Sequence, residues 1–391
     1  MKQFIKTLLL FSILLGCVAL SAPSPIIAIL DSPVDYEHPQ IQAVLDEDLL
    51  KNVKILDENG QEKSWYDLNI EAKAEFERRL NRNYYAEQVE YLDSLGKKNN
   101  TSLSTMIKGT LRYIFFPKFR SGLNVVADYL HGAHVAGIAM KSLSSARLIT
   151  FPHITAPEAK FKLSEILEYS PIKYRESLRH YFSQISQVLQ QENIRVVNLS
   201  IGTSQAMALK KFKQRATLLQ KIFYSKNLKE MAIQGAKNFS EELGSFIRAN
   251  PNSVFVLAAG NESKDLGYTT DNLANIKAEN LVKVSATNDL GALAGLSNYS
   301  ASNVDIAAPG IRIASARVGG GNVHMSGTSF AAPAVTNALA EILELTPTLS
   351  TRELIETLYS KYSFSDSFLT HSVAKGRVLK NKPMCSALFQ N

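Results

Sequence analysis

Short runs of consecutive apolar residues recur along the chain and alternate with longer stretches of helical periodicity. The runs are rich in β-branched residues and are continuous, which is typical of strands buried on both faces of a parallel sheet. With helical patterns between them, they predict an α/β fold with a mostly parallel central sheet. The predicted strands are Ile26–Leu30, Arg147–Phe151, Ile194–Leu199, Ser253–Ala258 and Leu281–Ser285.

Two longer segments have the spacing of amphipathic helices. Residues 67–95 place Phe76, Leu80 and Tyr84 on one face and end at Gly96, a residue that commonly stops helices. Residues 209–230 combine an apolar face with a face rich in lysine and arginine. A basic amphipathic helix can contact a membrane or an acidic partner, but a solvated surface helix is the simpler interpretation and the one we prefer.

The first 21 residues have the pattern of a secretory signal peptide: a basic start, an apolar run over residues 7–20 and a small residue, Ser21. The run is shorter than the roughly 20 residues that a membrane-spanning helix needs, so a retained anchor is the less favoured alternative. Residues 14–17 also resemble the lipobox of bacterial lipoproteins, in which Cys17 would be lipidated. Both processing routes predict export from the cytoplasm, as a secreted, periplasmic or lipid-anchored protein.

The composition narrows the class of protein further. Of 391 residues, 45% are hydrophobic and 20% are charged, which excludes a disordered chain and a polytopic membrane protein. The net charge of +7 is too small to indicate nucleic-acid binding, and we expect none. Two cysteines, Cys17 and Cys385, cannot form a disulfide scaffold.

Four segments carry candidate chemistry. Asp31 follows the first predicted strand, where open α/β sheets place their ligands. His131 begins a His-Gly-Ala-His segment at the expected start of a buried helix, and Asn261 follows a strand and a glycine. Ser329 precedes Pro333, which we expect within the first turn of a helix. That position would place Ser329 at a helix N-terminus, where backbone N–H groups favour negative charge.

Each of these residues also has an ordinary structural interpretation. A strand-end aspartate can cap a turn, and an asparagine after a glycine can form one. His131 and His134 share a helix face and could bind a metal, but no third ligand has a matching spacing, so we predict no metal there. The four segments are more informative together, because their chain order is Asp, His, Asn, Ser.

That order, with the motifs around each residue, resembles the subtilisin-like serine peptidases, the subtilases. The sequence Ser326-Gly-Thr-Ser-Phe-Ala-Ala-Pro333 is similar to their serine motif, and Ala-Gly-Asn261 is similar to their asparagine motif. The resemblance covers residues 25–380 with two insertions, at about 58–125 and 203–250, and leaves residues 381–391 as a tail. It implies a subtilisin-like three-layer fold with helices on both faces of the sheet.

The resemblance implies a role for each residue. Ser329 would be the nucleophile and His131 its general base, Asp31 would orient the histidine, and Asn261 would donate to the oxyanion with the Ser329 N–H. The substrate backbone would pair with one short segment, and a second would line the pocket before the scissile bond. These segments are Ser200, Ile201 and Gly202, and Ala258, Ala259 and Gly260.

The chain departs from the family pattern at two positions. Pro33 replaces a glycine two residues after Asp31, and proline fixes φ and lacks an N–H, so we expect an altered turn. Gln40 stands where many subtilases have a calcium-binding aspartate, which makes the usual calcium site doubtful. We expect no cofactor in the chemistry. Because the first strand starts at Ile26, we also expect no folding propeptide between the signal and the catalytic domain.

The sequence therefore predicts an exported serine endopeptidase that acts on proteins or peptides and that we expect to be a monomer. A catalytically weak subtilase scaffold that binds peptides or envelope partners is the alternative. Membrane association would occur through a lipidated Cys17 or through a basic and aromatic surface that includes residues 113–120. Burial of that segment against the core is the simpler interpretation of its aromatic residues.

Overall fold

The computed structural model describes residues 24–56, 61–96, 103–152, 162–201, 208–210, 212–213, 216–268, 273 and 275–380. Twelve strands lie in this part of the chain, and the five predicted strands are all among them. The strands are β1 (Ile26–Asp31), β2 (Lys54–Leu56), β3 (Glu62–Ser64), β4 (Arg147–Pro152), β5 (Val196–Leu199), β6 (Val254–Ala258), β7 (Leu281–Thr287), β8 (Ile306–Pro309), β9 (Ile313–Ala316), β10 (Asn322–Met325), β11 (Ser363–Ser365) and β12 (Arg377–Leu379).

Eight of these strands form the central sheet, in the order β11-β12-β8-β7-β6-β5-β1-β4. All neighbouring pairs are parallel except β11 and β12. The carboxyl ends of β1, β5 and β6 therefore meet at one edge of the sheet. Their interior residues are completely buried, as the continuous apolar runs require.

Helices cover both faces of the sheet in the part of the chain that the structure describes. They are α1 (Pro39–Gln42), α2 (Glu47–Asn52), α3 (Trp65–Arg79), α4 (Tyr85–Gly96), α5 (Leu103–Phe115), α6 (Pro117–Ala139), α7 (Leu163–Leu167), α8 (Pro171–Gln191), α9 (Leu218–Phe223), α10 (Ser225–Ala249), α11 (Thr328–Leu345) and α12 (Thr351–Lys361). None of these helices is long and apolar enough to cross a membrane.

Adjacent residues of the central strands show which helices lie on which face. The Asn198 side chain accepts a hydrogen bond from Thr336 of α11 at 3.0 Å, so it points toward α11. Val197, the preceding residue, pairs with Phe255, whose ring packs against Phe246 of α10. Because successive side chains of a strand point to opposite faces, α10 and α11 lie on opposite sides of the sheet. The α/β prediction with helices on both faces is confirmed.

Both long predicted helices are interrupted. The segment 67–95 divides into α3 and α4, because Leu80 has an extended ψ of 128° and the carbonyl of Asn81 accepts the N–H groups of the next turn. The prediction of one helix over residues 209–230 is also wrong. Thr217 is extended, with a ψ of 167°, and its side chain caps α9 by accepting the N–H of Gln220. Helical periodicity continued across both breaks, so it could not reveal them.

Candidate active site

Asp31 is the last residue of β1 and its side chain is 2% exposed. One carboxylate oxygen, Oδ1, accepts hydrogen bonds from the Ser32 N–H at 2.7 Å, the Ser32 hydroxyl at 3.2 Å and Nδ1 of His131 at 2.6 Å. The other oxygen, Oδ2, is buried and has no hydrogen-bond partner among the described residues. Pro33, two residues further on, has no N–H and cannot donate to it. The carboxylate is therefore bonded through one oxygen only among the described residues.

His131 lies in the middle of α6, and the expectation that it starts a helix is wrong. The helix begins at Pro117, because the residues before the histidine continue its buried face through Leu130 and Val126. Gly132 lets the helix approach the Asp31 turn: a Cβ on it would lie 2.1 Å from the Ser32 carbonyl oxygen. The close approach places the imidazole against the carboxylate.

Ser329 is the second residue of α11, as the sequence predicts, and its hydroxyl donates to the Ser200 carbonyl at 3.3 Å. Pro333 is the sixth residue of this helix, so its expected place in the first turn is wrong. A proline there cannot bond the carbonyl four residues earlier, which belongs to Ser329. The Ser200 hydroxyl donates to that carbonyl instead, at 2.8 Å, so a proline is tolerated at this position.

Asn261 follows β6 through Gly260, which has a φ of +101°. The Asn261 side-chain oxygen accepts the N–H and the hydroxyl of Thr328, at 2.9 and 3.0 Å. This orientation leaves the Nδ2 amide as a donor, and it lies beside Gly327, where an added Cβ would be 3.3 Å from it. The donor is thus held next to the N-terminus of α11, where Ser329 lies.

The remaining predicted site residues divide into two groups. Ser200 and Ala258 are buried at the ends of β5 and β6, while Ile201, Ala259 and Gly260 are partly exposed beyond those strands. All five lie at the same edge of the sheet as Asp31. Gly202 and Cys17 lie outside the described residues.

Asn298 supports this edge and was not singled out by sequence reasoning as a site residue. Its side-chain oxygen accepts the N–H groups of Glu262 and Lys264, and its amide donates to the Ala259 carbonyl at 2.9 Å. A Cβ on Gly260 would lie 2.5 Å from that amide, so glycine is required there. The signal in the sequence is Ser297-Asn-Tyr-Ser300, which the family resemblance included without a role.

Asn69 of α3 was also missed, although it lies in the predicted insertion. Its side chain is fully buried, accepts the Val34 N–H and donates to the Val34 carbonyl, both at 2.8 Å. Lys73, one turn later, donates to Asp35 at 2.8 Å, and Asp35 also accepts the Gly319 N–H at 2.9 Å. The insertion therefore fixes the backbone that follows Asp31. No local motif marks Asn69, because its partner lies 35 residues earlier.

His134 is a buried structural residue. Its Nε2–H donates to the carbonyls of Ile313 and Val323, at 2.9 and 3.0 Å, which ties α6 to the β9–β10 hairpin. Burial lowers the pKa of His134 to about 4, so the ring is neutral at pH 7. The His134 ring therefore serves as an uncharged hydrogen-bond donor that holds α6 against this hairpin.

The Subtilase family model matches residues 23–376, most of the chain. The chain belongs to the subtilase family. This confirms the resemblance drawn from the four motifs.

Individual subtilases are similar over shorter segments. The subtilisin-like serine protease Rho m 2.0101 of Rhodotorula mucilaginosa is 34% identical over 119 residues, which cover 30% of this chain and 33% of that protein. The thermophilic serine proteinase of Bacillus sp. (strain AK1) is 41% identical over 91 residues, covering 23% and 21%. The matched segment thus spans about a third or less of these relatives.

A solved cold-adapted subtilisin-like serine proteinase covers 92% of this chain and 89% of its own, with 17% identity and a TM-score of 0.48. Membership of the family rests on the sequence match.

Proposed function

We propose that this subtilase is an exported serine endopeptidase in which Ser329, His131 and Asp31 form a catalytic triad. The observation that carries the proposal is the convergence at one sheet edge: the His131–Asp31 bond of 2.6 Å and the Ser329–Ser200 contact of 3.3 Å lie at the ends of the adjacent strands β1 and β5. The ring of His131 packs against Phe330, the residue after Ser329, with centroids 5.2 Å apart. Protein or peptide chains are the substrates.

In the proposed reaction, the Ser329 hydroxyl turns from the Ser200 carbonyl toward Nε2 of His131 and attacks the scissile carbonyl carbon. His131 takes the hydroxyl proton, and its Nδ1–H stays bonded to Asp31, which stabilises the imidazolium. The tetrahedral intermediate collapses when His131 passes that proton to the leaving amine. Water then hydrolyses the acyl-serine with His131 again acting as the base.

The oxyanion of the intermediate would be bound by Asn261 Nδ2 and the Ser329 N–H. Support comes from the two hydrogen bonds of Thr328, which fix Asn261 with its amide toward α11. Ser200, Ile201 and Gly202 would pair with the substrate backbone as an added strand. Ala258, Ala259 and Gly260 would line the pocket for the residue before the scissile bond.

The chemistry requires no cofactor in this proposal. The usual calcium position does not fit the ion well, because Gln40 is neutral and its amide donates to the Gly137 carbonyl at 2.7 Å, and the described residues include no group of three or more His, Cys, Asp or Glu side chains that could hold a metal ion. We therefore propose that adding a calcium chelator does not change the structure around Gln40.

Residues 1–21 would act as the export signal, with Cys17 lipidation and free release as the two outcomes. The catalytic domain would extend over residues 25–380, with the insertions at about 58–125 and 203–250 as parts of it. Support for one domain comes from Asn69 and Lys73, since residues of the first insertion bond directly to the segment after Asp31.

A fluorophosphonate probe, which labels activated serines, tests the proposal on the exported chain. Wild type and Ser326→Ala should be labelled, and Ser329→Ala should not. Ser326 is a matched control, because it lies three residues away and its hydroxyl accepts the Arg312 N–H at 3.0 Å. Labelling that survives in Ser329→Ala would remove this serine as the nucleophile.

One observation favours the second candidate, a weak or silent subtilase scaffold that binds peptides. Asp31 Oδ2 has no partner among the described residues, and Pro33 cannot supply one, so the carboxylate is held less firmly than a fully bonded one. Folded wild-type protein that binds peptides but is not labelled would establish this alternative.

A further inference from the structure

Both insertions extend well beyond the sheet edge that carries the candidate active site. His131 contacts Asp31 at this edge, and Pro117 precedes it by 14 residues of α6, or about 21 Å of helix. α6 lies on the α11 face of the sheet, since Asn337 of α11 donates to the Ala139 carbonyl at 2.8 Å. On the opposite face, α10 leads into the start of β6 and has 25 residues, or about 37 Å, against about 17 Å for the five residues of β6. The first turns of α10 therefore lie about 20 Å beyond the same edge.

The ends of these projections expose large apolar side chains. The first projection, which we call the α5–α6 tip, comprises residues 107–118, and the second, the α9 tip, comprises residues 218–223. Phe115 and Phe116 are 68% and 47% exposed, and Leu218 and Phe223 are each 72% exposed. Within residues 113–120 only Phe119 is fully buried, so the expectation that this segment packs against the core is largely wrong. Chains expose such clusters where they bind a partner.

The charged residues within both tip segments are all basic. Residues 101–127 contain four basic residues and no acidic one, and residues 208–229 contain seven basic residues and no acidic one. Lys108 and Lys221 are exposed beside the apolar side chains of their tips. Acidic residues lie outside these segments: Glu87 pairs with Arg112 of the first tip, and α7, which carries Glu165, packs against Tyr224 next to the second. Apolar and aromatic side chains with flanking lysines are the combination that binds an anionic lipid surface.

We propose that the two tips dock on an anionic bilayer, so that the sheet edge carrying the candidate active site faces the membrane. The partner is a lipid surface because the two tips lie on opposite faces of the sheet and reach about equally far, roughly 20 Å, beyond the same edge. One flat surface can therefore contact both tips at once. Docking itself does not depend on catalysis. The consequence for the substrates rests on the proposed function: as a peptidase, the docked protein would cut polypeptides at a bilayer surface. The candidate active site lies about 20 Å from the tip ends, so the scissile bond is at least about six extended residues from the bilayer.

A lipid on Cys17 would act separately, because it precedes β1, which starts at the opposite edge of the sheet. The test therefore uses the chain with Cys17→Ser in every sample. Phe115→Trp supplies a reporter at the tip, since the chain has a single tryptophan, Trp65, which is 1% exposed. Phe368→Trp is the matched control: residue 368 is 90% exposed and follows β11 at the opposite edge.

Vesicles of phosphatidylcholine, with or without phosphatidylglycerol, and with brominated acyl chains as quenchers, are then added. We expect the indole fluorescence of the Phe115→Trp variant to be quenched only by the anionic vesicles, and that of the Phe368→Trp variant by neither. Replacing Phe115, Phe116, Leu218 and Phe223 by serine should weaken vesicle binding more than tenfold, while Phe368→Ser should not. Equal binding of the tip variant and wild type, or no binding of either, would overturn the proposal.

Two further measurements separate the remaining outcomes. Soluble polyglutamate that binds the tips more tightly than the anionic vesicles do would identify an acidic polypeptide as the partner and overturn the membrane proposal. Fluorophosphonate labelling of the same samples reports the proposed function independently of docking. With an active enzyme, bilayer-tethered peptides should be cut only when the spacer exceeds about six residues. Cutting that is independent of spacer length would contradict the orientation.

Discussion

Ser329 and Asp31 lie at the same edge of the sheet, but different kinds of contact hold them there. Ser329 is held by its own helix and by residues that follow neighbouring strands, Ser200 after β5 and Asn261 after β6. Asp31 is followed by a turn that lacks one N–H, and Asn69 of an insertion binds the backbone beyond that turn. Ser329, the proposed nucleophile, is thus positioned by the family motif, while Asp31, the proposed orienting acid, depends on a segment outside it.

The variant with the largest expected effect removes the hydroxyl of Ser329, the proposed nucleophile. We expect Ser329→Ala to lower peptide hydrolysis by about 10⁶-fold, the magnitude measured for subtilisin, a member of the same family. The variant should fold normally, because the Ser329 carbonyl, which accepts from Ser200, is retained. Steady-state hydrolysis of a peptide library and thermal unfolding check the two statements. A decrease of less than about tenfold would show that another group attacks the substrate.

The next effect concerns the oxyanion donor on the Ser329 side. Asn261→Ala should lower kcat by about 10²–10³-fold with little change in KM, since the amide acts only on the transition state. Asn288→Ala, which also removes an asparagine after a strand, is the control and should retain activity. If KM rises while kcat is constant, Asn261 binds substrate and does not stabilise the oxyanion.

A smaller effect is expected on the Asp31 side. Asn69→Ala leaves the Val34 N–H and carbonyl buried without partners, which should destabilise the fold by about 1–3 kcal/mol. Misplacement of Asp31 should lower kcat by about 10- to 100-fold. Arg78→Ala, on the exposed side of the same helix, should affect neither quantity.

To distinguish positioning of Asp31 from stabilisation of the fold, kcat is measured at a temperature where Asn69→Ala is fully folded. Fluorophosphonate labelling should be slower in that variant than in Arg78→Ala. Unchanged labelling in folded Asn69→Ala would show that the insertion stabilises the chain without positioning the acid.

The smallest effect at neutral pH involves His134. It lies on α6 with His131 and packs against Phe330 of α11, with ring centroids 4.5 Å apart. Its folded pKa, about 4, lies below the unfolded value of about 6.5, so the unfolded chain binds more protons as the pH falls. Stability from this residue is therefore complete above about pH 6.5 and is lost between about pH 6.5 and 4, by up to about 3 kcal/mol. Urea unfolding of wild type and His134→Gln measures the difference. The pH slope should be steeper in wild type, and equal slopes would contradict the assignment.

The sequence was most informative where local chemistry determines structure. The continuous apolar runs predicted five strands of the sheet, because strands buried on both faces admit few polar residues. The motifs predicted that Asp31, His131, Asn261 and Ser329 are brought to one edge. Contacts between distant segments were not predictable: the bond from Asn69 to Val34 and the support of Pro333 by Ser200 depend on packing that no local pattern encodes.

The position of β1 in the sheet has a consequence for biosynthesis. Ile26 pairs with Arg147 and Ile27 pairs with Val196, so the two neighbours of this strand lie about 120 and 170 residues further along the chain. At about 5–20 residues per second, the apolar strand waits roughly 6–24 s for its first partner and longer for its second. During that time it is an unpaired, aggregation-prone edge. Holding the emerging chain until Val196 has appeared is therefore a task for the cell's chaperones.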